Sequence, residues 1–165
     1  MAKSFICKMP NGTEVFYEDE KSHTATHLAD TPQLLRLLKE FLSKQDFHED
    51  KIFIEHDTGK VIGHTDLVDV TDKDDVVYAK RLNRDNYTKF VKNRTPPTTT
   101  YFTFLLYKDE DGNYKLASTW VGRTCPTFPD DVNATLESKP FWDRHALVFG
   151  NQSIQEGTLT TICPW

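Results

Sequence analysis

Two β-prone runs meeting across an acidic glycine turn constrain this chain more than any other feature. Residues 98–107 and 114–121 are dense in Thr, Tyr, Phe and Leu, and Asp109-Glu110-Asp111-Gly112-Asn113 lies between them. Aromatic and β-branched side chains favour a pleated backbone, and Gly with Asn supplies positive φ, so the pattern predicts an antiparallel hairpin. A second such signal, Pro10-Asn11-Gly12, predicts a hairpin over residues 5–17. Ile52-Phe53-Ile54-Glu55 reads as a buried strand, and Thr58-Gly59-Lys60 as a turn into Val61-Ile62-Gly63, which predicts a further hairpin.

Helical spacing is clearest over residues 31–44. Thr31-Pro32 matches a cap followed by proline at the first helical position, and Leu34, Leu37, Leu38, Phe41 and Leu42 recur on one face. Residues 76–92 read as a strand entering a short helix or turn, and Thr95-Pro96-Pro97 interrupts any helix there. Ser138 is placed to cap a short helix running through Trp142 and His145 towards Val148. The expected class is therefore α+β, an antiparallel sheet with a few flanking helices. The acidic run 69–75 suggests a join between an N-terminal α+β part, 1–75, and a β-sheet part, 76–165, packed as two parts or as one compact unit.

Charge divides the chain in the same place. Residues 1–75 carry nine Lys/Arg against sixteen Asp/Glu, a balance of −7, whereas residues 76–165 carry eleven against nine, a balance of +2. Six basic residues, Lys80, Arg81, Arg84, Lys89, Lys92 and Arg94, are opposed locally only by Asp85. A polyanion responds to such a local surplus even though the whole chain is at −5. The first residues lack the apolar run of a secretory signal and no stretch has the length of a membrane span, so a cytoplasmic protein without a membrane partner is expected. Cys7, Cys125 and Cys163, an odd number at wide spacing, read as thiols rather than a disulfide framework.

Spacing bears on several chemistries. His23, His27, His56 and His64 lack the pattern of a zinc motif, and the threonines around the first two disfavour a helix, so no metal is expected. Single-glycine turns exclude a nucleotide cradle, and no cofactor is expected. Cys125, near Arg123, reads as a structural thiol before it reads as a nucleophile. The remaining constellation is the basic segment with His145. Metal-free RNA cleavage needs a base for the ribose 2′-OH, an acid for the leaving oxygen and cations for the developing charge. Histidine, arginine and threonine hydroxyls can supply these roles. The bland alternative is a solvated basic face and a histidine satisfied within the core.

In the order Val77-Tyr78-Ala79-Lys80-Arg81 with Arg84, Arg94-Thr95-Pro96-Pro97-Thr98, Trp120-Val121-Gly122-Arg123 and Phe141-Trp142-Asp143-Arg144-His145-Ala146-Leu147, the chain resembles the barnase, EndoU, colicin and RelE-like nuclease group of phage and bacterial mobile elements. The likeness covers roughly residues 76–150 and has no counterpart in 1–75. It implies a metal-independent, toxin-like RNA endonuclease acting by 2′-OH transesterification, with His145, Arg81, Arg84 and Thr99 catalytic. Lys80, Lys92, Arg94, Thr103 and Trp142 would then bind substrate. The chain departs from that pattern in having no second obvious catalytic histidine or glutamate in 76–165, where Glu137 is no more than a candidate partner. The alternative expectation is a non-catalytic module that recognises RNA, a protein partner or an inhibitor through residues 80–94. A hydrolase using Cys125 or the histidines stands third.

Overall fold

The computed structural model describes residues 3–18 and 32–165. Strands dominate, and the described helices are two. In chain order the elements are β1 (Lys3–Lys8), β2 (Glu14–Glu18), α1 (Pro32–Leu42), β3 (Lys51–Asp57), β4 (Gly63–His64), β5 (Leu67–Asp69), β6 (Val76–Lys80), β7 (Tyr87–Val91), β8 (Thr98–Thr99), β9 (Tyr101–Lys108), β10 (Tyr114–Val121), α2 (Ser138–Arg144) and β11 (His145–Val148). The α+β class holds, with antiparallel pairing prevailing in the sheets.

The chain divides into two units, one from residues up to Gly63 with Thr99–Arg123, the other from His64–Thr98 with Thr124–Trp165. The expected division at 75/76 matches none of these crossings. The acidic run 69–75 instead lies inside the second unit, where Asp74 accepts from the Thr71 amide at 2.6 Å and joins β5 to β6 through a turn.

In the first unit the sheet order is β1-β2-β10-β9-β3. The two hairpins expected from Asn11-Gly12 and Gly112-Asn113 are β1–β2 and β9–β10, and β2 joins β10 in parallel. Strand β3 pairs along its whole length with β9, not with residues 61–63, which corrects the third expected hairpin. Gly59, at φ 77°, turns the chain, but Ile62 then donates to the Thr99 carbonyl. The helix α1 begins at Pro32, while its expected cap Thr31 lies outside the described residues. Leu34, Leu37, Leu38 and Leu42 are buried with Ile6, Ile52, Phe102, Phe104, Leu106 and Leu116 in one core. Each leucine removed from water contributes roughly 1.5–3 kcal/mol, which is what holds an eleven-residue helix that would be marginal alone.

The second unit carries the sheet β5-β11-β7-β6, in which β7 and β11 are parallel neighbours. Residues 76–92 form the β6–β7 hairpin, so of the expected short helix or turn it is the turn that forms; Asn83 at φ 63° supplies the left-handed residue that glycine supplies elsewhere. Apolar residues lie on both faces of this sheet, Val68, Val91, Ala146 and Val148 in one cluster and Val77, Ala79 and Phe90 in another. The helix α2 stops at Arg144, and His145 is already extended at φ −129°, ψ 159°, as the first residue of β11. Ser138 is the first residue of α2 and Glu137 stands at its cap position; the Ser138 hydroxyl accepts from the Thr135 amide instead.

Candidate functional site

The β6–β7 turn places two guanidiniums together. Arg84 N donates to the Arg81 carbonyl at 3.2 Å, and Gln155 Nε2 donates to the carbonyls of both Arg81, at 3.0 Å, and Arg84, at 2.7 Å. Arg81 Nη1 donates to Gln152 Oε1 at 3.1 Å, and its Cζ lies 5.8 Å from the Phe128 ring centre. Its Nε is buried and has no acceptor. Burial first, and the Arg84 charge second, lower the Arg81 pKa. Among the described residues neither arginine is in an ion pair; Arg94, by contrast, is bound to Asp74 at 3.2 Å and to the Asp69 carbonyl.

No motif in the sequence marks the segment that holds this turn. Gln155 N donates to the Lys80 carbonyl, Thr158 Oγ1 accepts from Lys80 N, and Ile154 bridges Arg81. Its signal was the nearly uncharged stretch 150–165, whose amide and hydroxyl side chains suit unpaired backbone groups.

His145 is placed differently. Its ring stacks on Phe141 at 4.1 Å and 12°, Nδ1 lies 2.8 Å from the Phe141 carbonyl and Nε2 3.0 Å from Asp69 Oδ1. Nδ1 faces a carbonyl oxygen and Nε2 a carboxylate oxygen. A general base requires a nitrogen lone pair directed at substrate, and here both positions are taken. In this arrangement the ring is a strut from the last turn of α2 to β5.

The other expected substrate residues are distributed. Trp142 is buried, stacked on Phe128 at 4.0 Å, with Nε1 donating to the Pro126 carbonyl. Lys89 is buried too; its Nζ donates to the Trp142 carbonyl at 2.6 Å, neutralising the carbonyl end of α2. Burial lowers its pKa, and nearby Asp143 and Cys163 oppose that shift. Lys80 Nζ lies 5.3 Å over Tyr87 and Lys92 Nζ 6.0 Å over Phe149. Thr99 and Thr103 belong to the first unit, unlike Arg81, Arg84 and His145. The Thr103 hydroxyl is buried and donates to the Gly122 carbonyl at 2.8 Å, while that of Thr99 accepts from Tyr101 N. Thr103 and Trp142 are both buried.

Arg123 pairs with Glu55 at 3.3 Å and covers the Tyr101 ring at 4.6 Å. Among the described residues no three His, Cys, Asp or Glu side chains gather as a metal site would require, and His23 and His27 lie outside them. No described helix is long and apolar enough to cross a membrane. No protein-family model matches the chain, and neither a curated protein nor a solved structure matches it.

Proposed function

We propose that the chain is a non-catalytic module that binds single-stranded RNA by its phosphates, with Arg81 and Arg84 as the grip on the β6–β7 turn. The observation that carries this reading is a pair of arginines on one turn whose charges act on each other, neither of them in an ion pair among the described residues. Holding two like charges together costs free energy, and a phosphate whose oxygens face planar donor forks offsets it. Gln152, Gln155 and Thr158 fix the geometry in advance, which lowers the ordering cost of binding. Lys80, at the end of β6 next to the turn, adds a third cation. The cleaving alternative implied by the nuclease resemblance would require His145 to leave the Phe141 carbonyl or Asp69.

Titration of labelled single-stranded RNA at low and at physiological salt tests the proposal. Binding should weaken steeply with salt, and replacing both arginines by alanine should reduce the logarithmic salt slope by about 1.4, as expected for two lost phosphate contacts. No binding at low salt, or an unchanged slope in the double variant, would overturn the grip. Incubation in EDTA should leave the RNA intact; 2′,3′-cyclic phosphate ends that disappear with His145→Ala would establish cleavage instead.

A further inference from the structure

Where the last turn of α1 meets the end of β3, the first unit contains a cavity of about 350 Å³. That volume falls in the range of small-molecule sites. Phe41 and Phe102 form apolar wall, and His56, Lys44 and Lys60 contribute polar atoms.

His56 is the informative residue. Its strand places Ile52 opposite Leu106, Ile54 opposite Phe104 and His56 opposite Phe102, so the imidazole occupies a position continuous with the helix-covered core. Packing alone would favour an apolar side chain there. The ring instead lies 4.3 Å from Phe41 and 5.6 Å, nearly edge-on, from Phe102, and neither nitrogen is hydrogen-bonded to a described group. His56 is only part-buried and lines the cavity. Lys44 and Lys60 are exposed and, among the described residues, form no ion pair; Glu40 is the acid on the same wall.

We infer that this cavity binds a small organic anion with an aromatic body, an arylalkyl carboxylate, whose head group meets Lys44, Lys60 and His56 while its ring lies against Phe41 and Phe102. A simple inorganic anion fills too little of the space to use the aromatic wall. A cation of the same shape meets two ammonium groups. The site lies in a different unit from the Arg81–Arg84 turn and stands or falls independently of RNA binding.

Calorimetry with indole-3-acetate, tryptamine and acetate, together with the imidazole NMR signals of His56, decides it. Indole-3-acetate should bind and shift the His56 resonances, whereas tryptamine, with the same ring and the opposite charge, and acetate, with the head alone, should bind at least about tenfold more weakly, a difference of about 1.4 kcal/mol. Lys44→Gln with Lys60→Gln should weaken indole-3-acetate about tenfold without altering thermal stability, since both side chains are exposed and in no ion pair among the described residues. His56→Phe should keep the ring packing and lose the affinity. Equal binding of indole-3-acetate and tryptamine, full affinity in either variant, or no binding at millimolar ligand would overturn the inference.

Discussion

Cys7 lies on β1 within the core beneath α1, and burial pushes its thiol up to about 11 from 9.0, with the Lys39 charge opposing the shift. Between these values the unfolded chain has lost the thiol proton and the native chain retains it. The unfolded state then binds fewer protons, so stability falls as pH rises through that window. Burial also raises Tyr78 and Tyr114, which add to the same alkaline slope. Urea midpoints measured from neutral pH to about pH 11 should decline more steeply for the wild type than for Cys7→Ala. Parallel curves would show that the thiol titrates alike in both states. At this scale the sequence exposed the basic cluster and the aromatic setting of His145. It could not expose the engagement of both imidazole nitrogens, because one partner, Asp69, lies 76 positions away in sequence and meets it only through the β5–β11 register.

Elements were legible where one periodicity or one turn residue sufficed. The leucine stripe of α1 and the Asn-Gly and Gly-Asn turns are local signals, and those elements formed as expected. The β6–β7 hairpin escaped because its left-handed position holds Asn83 in a turn without glycine. The end of α2 escaped because Arg144 and His145 carry no breaker between them, and pairing with Asp69 draws His145 into a strand. For α1 the packing has a direct consequence. Leu38 has no exposed surface, so Leu38→Ala should lower unfolding free energy by about 2–5 kcal/mol in urea titrations, with α1 losing its anchor to the sheet. An unchanged midpoint would mean that this face is not buried.

On the scale of the molecule, each unit is assembled from two separated stretches of chain. Strands β2 and β3 find their sheet partners in β10 and β9, more than forty residues later, so no cut at residue 75 isolates a complete sheet. A fragment of residues 1–75 should therefore show no cooperative thermal transition by circular dichroism, although it contains the strongest helix signal in the chain. A sharp transition would show that α1 with β1–β3 suffices. Such distant pairings also raise contact order, which slows folding.

The stretch that steadies the arginine turn has a second effect on the sheet beside it. Strand β6 is the outermost in its order, and an outermost strand ordinarily offers open amides and carbonyls to any passing chain. Here Thr160 exchanges both hydrogen bonds with Tyr78 at 2.8 Å, Gln155 takes up the Lys80 carbonyl, and Ser153 accepts from Leu82. The molecule thus carries its own selvedge, a hem that stops the weave of this sheet from unravelling into a neighbour's.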